Sequence, residues 1–172
     1  MDRPLEVLID AQRIAARMPE LGKIVRSWVP ADRPLTVVGV LKGSFLFMAD
    51  LVRQLDGPVE CEFLGVSSYV GTRSSGAVQI TQDLRIDVTG RDVILVEDIV
   101  DTGLTLDYLL RTLSARNPAS LRVVSLLDKP SRRQVQVRVD LVGFEIPDLF
   151  VVGYGLDLDQ RYRNLPYIGV FR

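Results

Sequence analysis

The 172-residue chain is 47% hydrophobic and 25% charged, a composition that supports one compact domain with a substantial buried core and leaves little room for two. Its 21 basic and 22 acidic residues sum to a net charge of −1, so no global field draws it to nucleic acid or to an anionic membrane; any basic site must be local. Histidine is absent, which removes the usual general base near neutral pH and every histidine-based zinc site or nucleophile triad. Proton transfer then falls to carboxylates, Lys, Arg, Tyr or backbone. A donor set made almost entirely of oxygen points to a hard metal such as Mg²⁺.

The chain opens Met1-Asp2-Arg3-Pro4 without an uninterrupted apolar stretch, and no window approaches the about 18 apolar residues of a membrane helix. This predicts a cytoplasmic protein with no membrane partner. Asp10 is placed to cap an amphipathic helix over 11 to about 28, with Ile14, Met18, Leu21 and Val25 at helical spacing and Pro19 expected to kink or split it. The β-branched run 35–41 predicts a strand, followed by the turn Lys42-Gly43-Ser44 and a helix over 45–55. A strand-like run at 59–64 carries the single cysteine, Cys61, which is expected as a buried structural thiol and not a nucleophile; no intrachain disulfide can form. Residues 68–77 fall in a polar, glycine-bearing stretch between two strand-like segments, long enough for a mobile lid.

The strand, turn and helix unit recurs with a strand at 92–96, a polar turn at 97–103, a helix from 104 to about 116 and a further strand at 121–127. Short strands follow at 141–144, 150–152 and 167–170. Continuous apolar strands alternating with helices predict an α/β fold with a mostly parallel central sheet covered on both faces. Ligands on such sheets bind at the carboxyl ends of the strands, where both polar turns lie. No internal repeat or linker divides residues 1–172, so a single domain is expected.

After the second strand the sequence reads Glu97-Asp98-Ile99-Val100-Asp101-Thr102-Gly103-Leu104-Thr105. Free N–H groups and the positive dipole end at the start of a helix suit a phosphate monoester, so the turn from Asp101 to Thr105 is a candidate phosphate cradle. Glu97 and Asp98 can hold ribose hydroxyls directly or through Mg²⁺, and Asp101 is placed to take or give a proton. Neither a dinucleotide loop nor a Walker loop is present: Gly153-Tyr154-Gly155 lacks the third glycine, and Lys42 precedes its glycine.

This run resembles the phosphoribosyl pyrophosphate motif of the type I phosphoribosyltransferases, and the other segments resemble the hypoxanthine-guanine members. The resemblance spans roughly residues 35–170 and implies the fold of that family, with a small hood formed by N- and C-terminal segments over the sheet. In it, Leu41, Lys42 and Gly43 form the pyrophosphate loop, often with a cis Leu-Lys peptide. Ser68 and Tyr69 belong to the lid. Asp101 accepts the N7 proton of the purine, while Thr102, Gly103, Leu104 and Thr105 hold the 5′-phosphate. Lys129, in Asp128-Lys129-Pro130-Ser131-Arg132-Arg133, donates to the purine O6, and Arg133 supports the pyrophosphate loop. Phe150 stacks on the purine, and the Val151 backbone reads its edge. Asp157 holds a second Mg²⁺, beside the pair Glu97 and Asp98, and Arg163 lies near pyrophosphate. Leu104 departs from eukaryotic members that carry lysine there and points to the bacterial branch. The implied activity is purine salvage: transfer of the phosphoribosyl group to N9 of hypoxanthine or guanine, giving IMP or GMP. A xanthine-guanine-preferring transferase and a regulator of the same fold that senses phosphoribosyl pyrophosphate are the alternatives. Near-neutral charge and the set Lys129, Phe150 and Asp157 weigh against the regulator. A homodimer or homotetramer is implied, without nucleic acid as a partner.

Overall fold

A computed structural model describes residues 4–68 and 78–172, and of Ser68 only its backbone. Tyr69 and nearly all of the proposed lid at 68–77 lie outside the described residues. Strand β1 (Leu5–Ile9) precedes helix α1 (Ala11–Ser27), β2 (Leu35–Leu41), α2 (Phe45–Val52), β3 (Val59–Ser68) and β4 (Val78–Gln82). There follow β5 (Asp92–Val100), α3 (Leu104–Ser114), β6 (Ser120–Asp128), β7 (Leu141–Glu145), β8 (Val151–Val152) and β9 (Ile168–Phe171). No described helix is long and apolar enough to cross a membrane.

Six strands form one sheet in the order β4-β3-β2-β5-β6-β7, with every pairing parallel except β3 with β4. Consecutive residues of the central strands bury into two separate cores, which is why these strands read as unbroken apolar runs. On one face Val37, Ile94, Val96 and Leu126 pack with Leu21 and Val25 of α1 and Phe47 and Leu51 of α2. On the other, Val38, Val40, Val93, Leu95 and Val123 pack with Leu106, Leu109 and Leu113 of α3. The expected mostly parallel, doubly covered sheet is therefore found. A second sheet, β1-β9-β8, is antiparallel and joins the two ends of the chain, matching the expected hood.

Several details differ from expectation. Asp10 caps α1 as read, its Oδ1 accepting from the Arg13 N–H at 2.8 Å. Helix α1 runs on through Pro19 undivided. The proline lies on the exposed side, and the buried residues Ile14 and Met18 before it and Leu21 and Val25 after it anchor both halves against the sheet. Cys61 is exposed, not buried: β4 joins β3 only from Gly65 onward, so the stretch around Cys61 is a sheet edge paired with β2 alone. Its thiol is pushed upward by partial burial, which does not favour the thiolate. Strand β5 extends to Val100 and so includes Glu97 and Asp98, which the sequence placed in the turn. Phe150 precedes β8 instead of belonging to it.

Candidate active site

Strand β2 pairs with β3 on one side and β5 on the other, so the connections after β2 and β5 leave the sheet in opposite directions and open a crevice between them. A cavity of about 290 Å³ lies there. Its lining brings together Leu41, Lys42 and Gly43 after β2, Glu97 and Asp98 on β5, Asp101, Thr102, Gly103 and Thr105 before α3, and Asp157 and Arg163 from the C-terminal segment. Leu104, Lys129, Phe150 and Val151 lie outside this lining.

The turn after β5 is shaped as a cradle. Gly103 sits at φ 88°, and a Cβ there would meet the Val135 carbonyl at 2.8 Å, so both conformation and space require glycine. The first backbone bond of α3 runs from the Asp107 N–H to the Gly103 carbonyl at 2.9 Å. The N–H groups of Thr105 and Leu106, both on the cavity wall, have no hydrogen-bond partner among the described residues. Thr102 Oγ1 accepts from the Leu104 N–H at 3.4 Å. The turn is held from behind by Arg133, which donates Nη1 to the Asp101 carbonyl at 2.7 Å and pairs through Nη2 with Asp128. Arg133 therefore supports the turn before α3, where the resemblance had placed its support at the Lys42 loop.

On the opposite wall the Leu41–Lys42 peptide is cis. A Cβ on Gly43 would fall 1.5 Å from Asp98 Oδ2, so only a residue without one lets the loop lie against that carboxylate. Glu97 is buried and Asp98 partly so. Burial raises the Glu97 carboxyl well above the usual range, and the neighbouring Asp98 charge adds to it. Asp98 is pushed up to about 6, chiefly by burial; hydrogen bonding from the Ile99 N–H and the charge of Arg163 oppose the rise, and Asp157 adds to it. Two neighbouring carboxylates that resist ionisation are an environment a divalent cation would relieve, so the donor chemistry fits Mg²⁺. Among the described residues no group of three or more such side chains is clustered to hold a metal, so Glu97, Asp98 and Asp157 do not form one cage. Mg²⁺ commonly takes one or two carboxylates and completes its shell with water and substrate oxygens, an arrangement this pair allows. Asp157 is engaged elsewhere: it pairs with Arg163 at 2.9 Å and accepts from the Gln160 N–H at 2.8 Å.

Two residues were missed in the sequence. Gln160 Oε1 accepts from Lys42 Nζ and from Arg163 Nη2, each at 3.3 Å, and bridges the two sides of the cavity. Arg132 reaches the Asp101 carboxylate through Nε at 3.1 Å and lies 3.6 Å from Asp148. No spacing signal marks either residue. Beside the cavity, Lys129 is only 6% exposed, and its ammonium has no hydrogen-bond or ion-pair partner among the described residues. Phe150 is 59% exposed and Val151 is buried.

A crevice at the switch point of a parallel sheet, with open N–H groups at a helix start on one wall and a glycine loop on the other, places the protein in a class. A phosphoribosyl transferase domain matches residues 10–159, and the chain belongs to that family. It is 52% identical over 168 residues to the hypoxanthine phosphoribosyltransferase of Haemophilus influenzae, covering 96% of this chain and 94% of that protein. It is 50% identical over 168 residues to the hypoxanthine-guanine phosphoribosyltransferase of Bacillus subtilis, covering 97% and 93%. The fold superposes on a crystal structure of a hypoxanthine-guanine phosphoribosyltransferase from Bacillus anthracis with a TM-score of 0.93 and 39% identity, over 99% of this chain and all of that one. The resemblance read from the motifs is thereby borne out.

Proposed function

We propose that the protein transfers the 5-phosphoribosyl group of phosphoribosyl pyrophosphate to N9 of hypoxanthine or guanine, with release of pyrophosphate. The observation that carries this reading is the pairing, in one crevice, of open N–H groups at the start of α3 with the carboxylates of Glu97 and Asp98 on β5. The 5′-phosphate takes the cradle from Asp101 to Thr105, and the ribose diol faces Glu97 and Asp98. Lys42 and Arg163, already joined through Gln160, supply positive charge for the departing pyrophosphate beside the Gly43 loop. Asp101, oriented by Arg132, accepts the purine N7 proton in a chain that has no histidine to offer. Lys129, a nearly buried residue whose ammonium has no partner among the described residues, donates to O6, which adenine lacks. Phe150 provides an exposed ring for the base to stack on, and the Val151 backbone reads its edge. Mg²⁺ bound by Glu97 and Asp98, with a second ion at Asp157, would neutralise the diphosphate charge as the bond to C1 breaks. Residues 68–77, with Ser68 and Tyr69, are proposed to close over the crevice and exclude water.

A cytoplasmic homodimer or homotetramer is the assembly we infer. The relatives' names are those of hypoxanthine and hypoxanthine-guanine enzymes, so neither a regulator nor a xanthine-preferring transferase is needed. The test is turnover of hypoxanthine, guanine, xanthine and adenine with phosphoribosyl pyrophosphate and Mg²⁺, beside Asp101→Asn. We expect conversion of hypoxanthine and guanine, inert adenine, and a variant slowed by about a hundredfold or more. Absence of turnover with every base would overturn the reading.

A further inference from the structure

Three consecutive residues of the C-terminal segment have positive φ: Gly153 at 98°, Tyr154 at 48° and Gly155 at 100°. The two glycines are required by space, since a Cβ on Gly153 would lie 2.0 Å from the Tyr167 carbonyl and one on Gly155 2.1 Å from the Gly43 carbonyl. Tyr154 has no such exemption; a bulky side chain in the left-handed region is an outlier that the surroundings must hold in place. What holds it is visible. The ring is buried in the core shared with α1 and α2, its N–H donates to the Leu165 carbonyl at 2.8 Å, and its hydroxyl donates to the carboxylate of Asp50 on α2. Burial and that carboxylate raise the phenol far above its ordinary range, so it stays a donor.

Asp50 and the Lys42 loop belong to one rigid piece. The loop runs directly into α2, with the Phe45 N–H bonded to the Lys42 carbonyl at 3.2 Å and the Met48 N–H to the Ser44 carbonyl at 2.8 Å. Gly155, next to Tyr154, rests on Gly43 and accepts from Arg163 Nη1 at 2.6 Å, and Arg163 in turn holds Asp157. The hydroxyl therefore ties the segment bearing Asp157 and Arg163 to the helix that carries the Lys42 loop.

We propose that Tyr154 is a positioning residue: its hydroxyl bond to Asp50 fixes the spacing between the Asp157–Arg163 pair and the Lys42–Gly43 loop, and so sets the grip on the diphosphate end of the donor. The inference rests on the phosphoribosyl reading given above. A general packing role would lower stability and affect both substrates alike. A positioning role affects the diphosphate end and leaves the base end alone, because Lys129 and Phe150 lie outside this linkage and Val151 is held separately by its pairing with Val170 of β9.

The experiment compares the full-length wild type with Tyr154→Phe, Asp50→Ala, the double variant and Asp50→Asn, which retains an acceptor. The readouts are KM for phosphoribosyl pyrophosphate, KM for hypoxanthine, inhibition by pyrophosphate and melting temperature. Expected for Tyr154→Phe and Asp50→Ala is a rise of about three- to tenfold in KM for the donor and in the pyrophosphate inhibition constant, with hypoxanthine KM unchanged. The double variant should be no worse than either single, and Asp50→Asn should be close to wild type. A lower melting temperature with unchanged donor parameters, equal shifts for both substrates, or additive single effects would each overturn the proposal. If wild type neither turns over the donor nor binds pyrophosphate, the phosphoribosyl reading itself falls and this inference with it; an active wild type beside an unchanged Tyr154→Phe overturns the inference alone.

Discussion

The two ends of strand β5 treat a carboxylate in opposite ways. At the amino end Asp92 is buried, with Arg33 Nη2 2.6 Å away and the Ser120 hydroxyl donating at 2.6 Å. Toward the carboxyl end, on the same strand, Glu97 and Asp98 are drawn into the protein with too little compensation, and both resist ionisation. A buried charge that is paired serves the fold, whereas one left short of partners costs stability unless something else arrives to satisfy it. The difference separates the end of the sheet where a buried acid is paired from the end where two buried acids are left short of partners.

The glycines give the largest contrast. Gly43→Ala would drive a Cβ into the Asp98 carboxylate, and we expect turnover to fall by about a hundredfold or more as loop and acid are pushed apart. Gly90→Ala, at the amino end, meets nothing within 4 Å and suffers only from its φ of 70°, so it should cost about 1–2 kcal/mol of stability and leave turnover unchanged. Steady-state kinetics beside denaturant unfolding separates the two; a fully active Gly43→Ala would break the comparison.

A second contrast has opposite signs. Asp92→Asn should destabilise the protein by about 1–3 kcal/mol, by weakening the partner of Arg33, while the enzyme keeps its kcat/KM. Asp98→Asn should lower activity yet raise the unfolding free energy of the ligand-free protein at pH 8 by about 1–2 kcal/mol, the full shift being discounted for partial solvent access. The gain follows from linkage. A carboxyl whose folded pKa lies above its unfolded value contributes stability fully present below about 4 that is lost as pH rises through about 6. Asn behaves as the protonated acid at every pH.

The smallest effect sharpens this further: the advantage of Asp98→Asn over wild type should shrink as pH falls from 8 to 5 and vanish near 4. Glu6, held low by Arg172, and Asp87, held low by the Thr89 hydroxyl and N–H, act in the opposite direction but cancel between the two proteins. Thermal unfolding against pH checks it, and a constant gap would show that the charge of Asp98 is not the cause.

What could be read from the sequence was whatever is local. The apolar runs of β2, β5 and β6 announce themselves because each is buried on both faces, and the turn from Asp101 to Thr105 carries its chemistry in consecutive residues. Strand β1 was missed because Leu5–Ile9 is a short run whose partner, β9, lies at the other end of the chain. The exposure of Cys61 depends on where β4 starts to pair, which the residues around it do not encode. Gln160 and Arg132 reach the site through tertiary placement alone, as polar side chains indistinguishable from surface ones. Pro19 misled for a physical reason: packing on both sides of it outweighs the backbone bond it removes.

The pairing of β1 with β9 also bears on when the site is completed. Glu6 and Arg172 are bonded across 166 residues, and β9 lies between β1 and β8, so the small sheet has no centre until its last strand is made. During synthesis the six-stranded sheet, whose last strand ends at Glu145, can assemble while the segment bearing Asp157 and Arg163 is still emerging. The turn from Asp101 to Thr105 thus precedes the wall formed by Asp157 and Arg163, and a ribosome-bound chain lacking β9 should carry a folded sheet before it carries a working enzyme.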